Sequence, residues 1–347
     1  MTVKARPADL EVEREALLGL LERNLPDLAH RRRFDWLYRA NPAGRAWSWF
    51  VYDEGTKEIV GVASVFPRDF WIGGRIERCG QVGDFAVDAT HRSLGPAVLL
   101  QRATFQPVDR GALAFCYDCP PHDQGMATFR RLGIEATCRT HQFARPLRAE
   151  RHVEKRLGRG AFAAAVTGLA NGLLWARTAR RHSEPGVEIV EHTGRFDDEF
   201  SRLDREVGGP EIVRSRRGAA DLNWRYRDDP LHQYRVLTAR RRGELLAFVV
   251  FSTAGDDAVI VDVFGRLSGG LTVALLDAAA AVIRSAGVQT LRMTVGEDAA
   301  GREAMGRAGF RPRGQGPRIV AYAGRAGQVA TALHASAWAI RPVDLLA

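Results

Sequence analysis

Residues 87–97, VDATHRSLGPA, decide the fold prediction because they form an unusual turn between a strand and a helix. The residues before them read as a strand, and the run PAVLLQRATFQPVDRG after them reads as a helix. The turn itself has the spacing Arg92-x-x-Gly95-x-Ala97. A helix N-terminus presents backbone N–H groups without intrahelical partners, and the helix dipole adds partial positive charge. The turn therefore predicts a phosphate-binding site.

Each residue of this turn has an expected role. Gly95 lets the backbone approach the ligand, and the small side chain of Ala97 leaves room for it. Pro96 suits the first helical position because an N–H is dispensable there. Arg92 can add a charged hydrogen bond to a phosphate. The short pattern is weak alone, so its place between a strand and a helix matters.

Landmarks of the chain recur in the same order in its second part. WLYRANP at 36–42 returns as WRYRDDP at 224–230, and both are followed by a hairpin-like run. VDATHRSLG at 87–95 returns as VDVFGRLSG at 261–269, and FRRLGI at 129–134 as MGRAGF at 305–310. Repeats this long predict a duplicated domain rather than a solenoid.

The second turn departs from the first. It reads Arg266-Leu267-Ser268-Gly269-Gly270-Leu271, with a bulky leucine where the first turn has Ala97. We therefore expect the phosphate site in the first copy, and a scaffold or acceptor role for the second.

With these landmarks in order, the sequence resembles the GCN5-related N-acetyltransferase superfamily. The superfamily's pyrophosphate signature, (Gln/Arg)-x-x-Gly-x-(Gly/Ala), reads here Arg92-Ser93-Leu94-Gly95-Pro96-Ala97. FAVDATHR looks like its fourth strand, and DQGMATFRRLGI like its late helix. The resemblance implies an α/β (α+β) fold with two tandem mixed-sheet domains at 1–147 and 187–347, joined by a helical linker at 148–186.

The resemblance also implies an acyl-CoA-dependent N-acyltransferase with acetyl-CoA or another acyl-CoA as co-substrate and no metal. The pantetheine arm would run beside the fourth strand, where backbone N–H groups can polarise the thioester carbonyl. The expected cofactor-binding residues are Ala86, Val87, Arg92, Ser93, Leu94, Gly95 and Ala97.

An amine acceptor must lose a proton before it attacks the thioester, and a carboxylate can take it. Asp84, on the strand before the turn, is the expected base; the alternative is a structural carboxylate that caps a loop or pairs with a surface arginine. Asp88 aligns with Asp262 of the second copy, which indicates a role in turn geometry.

The proton donor to the departing thiolate is less clear in the sequence. Phe129 stands where the superfamily often carries a tyrosine, and phenylalanine cannot donate a proton. Tyr117 is the expected substitute, with His122 as an alternative. The pairs Trp36/Tyr38 and Trp224/Tyr226 are either core residues or a wall of the acceptor pocket.

The sequence has no apolar run as long as a membrane span and no signal-peptide pattern, so we expect a cytoplasmic protein. We expect a small-molecule acceptor such as an amino sugar or another amine, with a sugar nucleotide and a protein N-terminus as alternatives. The formal net charge is +9, yet lysine occurs only at Lys4, Lys57 and Lys155, so the excess is mostly arginine. The helical segment 148–182 has an apolar centre and basic flanks, which leaves peripheral membrane contact open. Two alternatives remain: a Fem-like transferase that uses aminoacyl-tRNA, and a non-catalytic CoA-binding module. The pyrophosphate turn argues against nucleic acid, because tRNA has no pyrophosphate to place there.

Overall fold

A computed structural model describes residues 2–120, 125–179, 184–208, 212–296, 299–324, 337–338 and 344. The strands are β1 (Val3–Pro7), β2 (Trp47–Asp53), β3 (Ile59–Ile72), β4 (Arg75–Val87), β5 (Phe115–Asp118), β6 (Cys138–Pro146), β7 (Glu188–Glu191), β8 (Ile212–Ser215), β9 (Arg235–Arg241), β10 (Glu244–Ala254), β11 (Asp257–Gly265), β12 (Thr290–Gly296), β13 (Arg311–Tyr322) and β14 (Ala337–Trp338). The helices are α1 (Arg14–Asn24), α2 (Arg31–Phe34), α3 (Leu94–Asp109), α4 (Met126–Arg131), α5 (Glu150–Leu157), α6 (Ala161–Ala179), α7 (Asp198–Glu206), α8 (Ala219–Tyr226), α9 (Gly269–Ser285) and α10 (Ala299–Arg307).

The strands form one large mixed sheet with helices on its faces, which confirms the predicted α/β (α+β) class. The sheet order is β1-β2-β3-β4-β5-β13-β6-β12-β11-β10-β9-β7. We call β1–β6 the first half of the sheet and β7–β13 the second half. Read from either edge inward, each half contributes the strands of this path in chain order, so the path is palindromic; β8 lies off it and pairs with β3 and β14.

The two halves exchange their last strands at the centre of the sheet. β6 follows β5 in the chain but pairs with β12 and β13, whereas β13 pairs with β5 over Val320–Tyr322. A buried ion pair fixes the exchanged β6, since Arg145 Nη1 lies 2.6 Å from Asp277 Oδ1 on α9. The predicted boundary at residue 147 falls directly after this exchanged strand.

Apolar clusters cover both faces of each half. In the first half, α3 packs through Leu100 and Ala103 on one face, and α1 packs through Leu17 and Leu21 on the other. In the second half, α9 covers one face, and α7 and α8 cover the other. The faces that carry α1–α2 and α8 meet, because Trp224 belongs to the same cluster as the α1 residues.

The connecting segment is helical, as expected, but it forms two helices rather than one. α5 ends at Gly158, whose φ of 70° is a left-handed conformation that glycine adopts without strain. One face of α6 packs on α5 through Ala163 and Val166. Among the described residues, no helix combines the length and apolarity needed to cross a membrane.

Candidate functional site

The predicted opening beside the fourth strand is present. The parallel ladder between β4 and β5 covers only Cys79–Gln81 of β4, and β4 then continues to Val87 paired with β3 alone. Ala86 and Val87 lie in this diverging part, with side chains packed on opposite faces of the sheet. Their backbone is therefore placed at the opening, as the sequence predicted, while their side chains belong to the core.

The N-terminus of α3 lies just past this opening and is open to solvent. Ser93 precedes the helix in an extended conformation, and its side chain makes no capping hydrogen bond. A Cβ built on Gly95 would meet nothing closer than the Ser93 hydroxyl at 4.0 Å. Leu94 exposes 44% of its surface. The first-turn N–H groups of α3 are thus accessible to an anion.

Two details of this turn differ from the sequence interpretation. Pro96 is the third residue of α3 rather than the first, which costs no hydrogen bond because the N–H groups of the first turn have no intrahelical partner. Arg92 folds back toward the strand: its Nε donates to the Val87 carbonyl at 3.2 Å, and one Nη donates to Asn24 at 3.5 Å. Arg92 therefore braces the turn in this structure.

The N-terminus of α9, the corresponding position in the second half, is covered by the chain's own groups. The Ser268 hydroxyl accepts from the Leu271 N–H at 3.1 Å. A Cβ built on Gly270 would collide with the Glu184 carboxylate, and one on Gly269 with the Arg307 guanidinium. An internal carboxylate thus lies where an external anion would bind at α3.

Asp84 lies in a buried ion pair, which contradicts its predicted role as a base. Its two oxygens accept from Arg33 Nη1 and Nη2, each at 2.8 Å, and Oδ2 also accepts from the Tyr38 hydroxyl at 2.5 Å. The Asp84 side chain has no exposed surface. A carboxylate with both oxygens bound to a guanidinium cannot reach a substrate proton. The alternative interpretation is right that Asp84 pairs with an arginine, but that arginine is the buried Arg33 rather than a surface residue.

A widened helical turn makes this cluster possible. After α2, residues Asp35–Arg39 form a π-type turn, closed by a hydrogen bond from the Ala40 N–H to the Asp35 carbonyl at 2.9 Å. Such a turn adds one residue, so side chains five positions apart share a face. Arg33 and Tyr38 are five apart, and both reach Asp84.

The second half contains the same kind of cluster around Asp262. Arg217 donates to its two oxygens at 2.8 and 3.0 Å, and the Tyr226 hydroxyl donates at 3.0 Å. The sequence alignment that matched Asp262 with Asp88 is therefore wrong, because Asp88 binds Arg23 and Asn24 of α1 instead of forming a local turn. A short helical turn at Ala89–His91 lengthens the first-half connection and shifts the alignment.

The tryptophans of the two repeated motifs bind each other across the halves. The Trp36 and Trp224 rings stack with centroids 4.8 Å apart. Each indole Nε1 donates to the other residue's carbonyl, at 2.7 Å from Trp36 and 3.0 Å from Trp224. Tyr38, Trp224 and Tyr226 are core residues, as one prediction had it, and Trp36, Trp224 and Tyr226 also line a cavity; their role toward an acceptor stays a prediction.

This cavity, which we call the central cavity, lies between the two halves and has a volume of about 430 Å³. Its walls come from the α1–α2 region, the α8 region and strands β3, β10 and β11. A volume of this size suits a small molecule. Its lining includes Trp36, Arg68, Trp224, Arg225, Tyr234 and Val261.

Tyr117 is buried beside the central part of the sheet. Its ring packs against Phe70 and Phe115, and its buried hydroxyl lies beside the Arg68 guanidinium. Burial raises the pKa of Tyr117 well above its usual value, so the hydroxyl keeps its proton at neutral pH. Phe129 is buried in α4, and His122 lies outside the described residues.

Sequence reasoning missed the arginines Arg33, Arg68 and Arg217. Their importance comes from burial, which a composition rich in arginine conceals. Within the described ranges, no group of three or more His, Cys, Asp or Glu side chains is placed to hold a metal ion.

Comparison with known proteins supports the fold. No family profile and no curated protein matches this chain in sequence. A probable N-acyltransferase from Enterococcus faecalis V583 superposes with a TM-score of 0.65 at 12% identity, covering 92% of this chain and 72% of that one. A GCN5-related N-acetyltransferase from Anabaena variabilis gives 0.65 at 14% identity, with 93% and 73% covered.

A third similar structure is the N-myristoyltransferase of Saccharomyces cerevisiae with bound myristoyl-CoA. Its TM-score is 0.59 at 11% identity, with 93% of this chain and 83% of that chain covered. Identities this low speak to architecture alone. The mixed sheet of this chain, with its diverging strands and the helix that follows them, is that of the GCN5-related N-acetyltransferase fold.

Proposed function

We propose that this protein is an acyl-CoA-dependent N-acyltransferase that binds its acyl-CoA in the first half. The observation that carries the proposal is the open N-terminus of α3 next to the diverging β4 strand. Phosphate groups bind well at such a terminus, because free N–H groups and the helix dipole both favour negative charge. The fold of the similar structures, whose names describe acyl transfer, agrees with this assignment.

The proposed site assigns a task to each predicted cofactor residue. The amides of Ser93, Leu94, Gly95 and Ala97 hold the pyrophosphate, and Arg92 turns from Val87 toward it. The backbone at Ala86 and Val87 polarises the thioester carbonyl. The acceptor amine attacks that carbonyl directly, and the carbon–sulfur bond breaks as the amide forms.

Tyr117 remains the proposed proton donor to the departing thiolate. Its hydroxyl is protonated and lies beside the Arg68 guanidinium, which would stabilise the tyrosinate that is left after proton transfer. The amine releases its proton to solvent, and Tyr117 takes one back from solvent, so the net products are the amide and the free thiol. We no longer propose Asp84 as the base, since Arg33 and Tyr38 occupy its oxygens.

We also propose that the chain arose by duplication, with domains at 1–147 and 187–347 and a linker at 148–186. The palindromic sheet, the paired Arg–Asp–Tyr clusters and the reciprocal tryptophan contacts support a common ancestor for both halves. Only the first half keeps an accessible helix terminus, so we expect one acyl-CoA per chain.

The test is calorimetric titration of acetyl-CoA and CoA into the wild type and Gly95→Glu. The variant should lose binding at least 100-fold, because a carboxylate at the helix terminus takes the place of the pyrophosphate and repels it. Its melting temperature should not fall, since a carboxylate favours a free helix N-terminus. Arg102→Glu, exposed two turns further along α3, is the matched control and should bind normally.

Equal binding by Gly95→Glu and the wild type would refute the placement at α3. Binding by neither would refute the acyl-CoA proposal, and binding of tRNA with a steep salt dependence would then favour the Fem-like alternative. Binding of acetyl-CoA without turnover on any amine would favour the non-catalytic module.

Peripheral membrane contact through α6 is a second proposal, favoured by its exposed apolar residues. Phe162, Leu169 and Leu173 expose 72%, 74% and 67% of their surfaces. We expect Leu169→Ser combined with Leu173→Ser to reduce co-sedimentation with vesicles that contain anionic lipid. Val12→Ser, at an equally exposed apolar residue, is the control, and unchanged sedimentation of the double variant would refute the contact.

A further inference from the structure

Arg68 on β3 is an unusual buried cation. It exposes 4% of its surface, and its Nε donates to Gln81 Oε1 at 3.2 Å. Its Nη1 is buried and has no hydrogen-bond partner in the described part of the chain. The guanidinium carbon lies 4.7 Å from the centre of the Trp224 ring, so one face of the cation rests on an aromatic surface.

The other buried arginines of the described residues have carboxylate partners. These pairs are Arg33 with Asp84, Arg145 with Asp277, Arg214 with Asp204, and Arg217 with Asp262. Arg68 forms no such pair within the same ranges. The fold therefore supplies counter-charges for buried guanidinium groups as a rule and leaves Arg68 as the exception.

A buried charge without a counter-charge is costly, and folds tolerate such groups chiefly where function requires them. Burial and the nearby Arg225 lower the pKa of Arg68 to about 10, which still leaves it cationic at neutral pH. A bound anion would restore the missing interaction.

The surroundings of Arg68 define what such an anion must look like. Arg68 lines the central cavity together with apolar groups of Trp36, Trp224, Leu231 and Val261. Arg225 adds a second guanidinium to the lining, with its Nη1 3.8 Å from Asp344 Oδ1.

Acidic groups of the cavity wall do not compensate this charge. Asp229 also lines the cavity, but its oxygens accept from the Tyr234 hydroxyl and from the N–H groups of Leu231 and His232. Asp27 is a second carboxylate of the lining, and neither it nor Asp229 forms an ion pair with Arg68.

We infer that the central cavity binds a small molecule that carries a carboxylate or a phosphate on an apolar body, with its anionic group against Arg68. If this molecule is the acceptor of the acyl group, its amine lies at the end away from Arg68. The acceptor role rests on the proposed function, whereas binding of the anionic molecule in the cavity does not. An amine without an anionic group leaves the Arg68 guanidinium without a counter-charge, so we expect it to bind less tightly than the matching anionic molecule.

The experiment measures binding to the full chain by tryptophan fluorescence, since Trp36 and Trp224 line the cavity, and by calorimetry. The probes are L-phenylalanine, phenyl phosphate and L-phenylalaninamide, which keeps the ring and the amine but lacks the carboxylate. We expect at least one anionic probe to bind about ten- to a hundredfold more tightly than the amide, because a charged hydrogen bond is lost in the amide. The stronger anion identifies the carboxylate or the phosphate as the preferred group.

Variants of Arg68 then localise the binding. Arg68→Gln should weaken binding of the preferred anionic probe about ten- to a hundredfold. Arg68→Lys should weaken this binding less, because the positive charge remains. Arg102→Gln, an exposed arginine of α3, is the control. Thermal unfolding of each sample checks the fold, and the comparison of the probes in the wild type does not depend on any variant.

Two outcomes would overturn the inference: anionic probes that bind no more tightly than the amide, or equal binding by Arg68→Gln and the wild type. Titration of acetyl-CoA into the same samples separates the inference from the proposed function. Binding of an anionic probe without binding of acetyl-CoA refutes the function and leaves the cavity assignment, and the reverse result refutes the cavity assignment alone.

Discussion

The N-termini of α3 and α9 have similar sequences, but the N–H groups of α3 are open to solvent and those of α9 are covered by the chain's own side chains. Both follow a strand that diverges from its neighbour, and both start after a serine with glycine in the first turn. At α9 the serine caps the helix and Glu184 covers the glycine, whereas at α3 neither contact is made. The difference teaches that a turn with this motif can bind phosphate only if the rest of the chain leaves the first-turn N–H groups of the helix free.

The buried clusters show the opposite relation between the halves. Asp84 and Asp262 have the same partners, an arginine and a tyrosine, although the arginines lie at different distances along the chain. The two halves thus share the buried Arg–Asp–Tyr cluster, and they differ at the helix N-terminus where a ligand would bind.

The largest expected effect on stability tests the buried Arg–Asp–Tyr clusters that the two halves share. Asp84→Asn should destabilise the fold by about 3–5 kcal/mol, because it leaves the buried Arg33 guanidinium without its carboxylate. Asp262→Asn should cost less, because Arg217 keeps a second carboxylate, with its Nη2 3.4 Å from Asp344 Oδ2. Urea unfolding measures both. Asp88→Asn is the control, since its partner Arg23 is exposed and the expected cost is at most about 1 kcal/mol. Lost activity with unchanged stability in Asp84→Asn would restore the base role that the geometry argues against.

A smaller effect on stability tests the serines that precede α9 and α3. Ser268→Ala should cost about 1 kcal/mol, because it removes the hydrogen bond to the Leu271 N–H. Ser93→Ala should cost less than about 0.5 kcal/mol, because Ser93 makes no such bond. Thermal unfolding of the two variants without ligand provides the comparison, and equal losses would contradict the difference between the termini.

Removal of the covering carboxylate should have a still smaller effect. Glu184→Gln is expected to destabilise the fold by about 0.3–1 kcal/mol at low ionic strength, because a negative charge leaves the vicinity of a helix N-terminus. The loss should shrink in high salt. Glu188→Gln, an exposed position on β7, is the control. A loss independent of salt would show that Glu184 acts by packing rather than by charge.

The smallest effect concerns pH and again separates the halves. Burial raises the pKa of Asp118 at the end of β5 to about 7, whereas the strand end of β12 carries Thr294 and Val295. A carboxyl whose pKa is higher in the fold than in the unfolded chain favours folding when protonated. Its contribution is therefore complete below about pH 4, the unfolded value, and is lost as pH rises through about 7.

The measurement is urea unfolding of the wild type and Asp118→Asn at about pH 5 and pH 8. We expect the stability of the wild type to fall relative to the variant over this interval. Parallel behaviour of the two proteins would mean that Asp118 has an ordinary pKa in the fold. Screening by solvent keeps the effect small, because Asp118 is only partly buried by surface area.

The sequence predicted the local features of this site and missed the long-range ones. The strand, the turn and α3 were visible in residues 87–97, since alternation and helix-start signals are local. The break between α5 and α6 had a signal in Gly158 and Gly160 that the helical composition outweighed. The pairing of Arg33 with Asp84 spans 51 positions, and no periodicity encodes such a contact.

The exchanged strands were likewise beyond the sequence pattern. Alternation identifies a strand and its buried face, but it does not name the neighbouring strand. β6 and β13 would satisfy the same pattern whether they paired within their own half or across the sheet. Only the packing of the whole chain, including the ion pair of Arg145 with Asp277, decides between these arrangements.

The exchange has a consequence for synthesis of the chain on the ribosome. β5 ends at Asp118, but its neighbour β13 ends at Tyr322, so one edge of the first-half sheet stays unpaired until about 200 further residues have been made. An unpaired strand edge invites association with other chains during that interval. Truncation before β13 should therefore yield insoluble product rather than a free first domain, and the halves should refold as one cooperative unit.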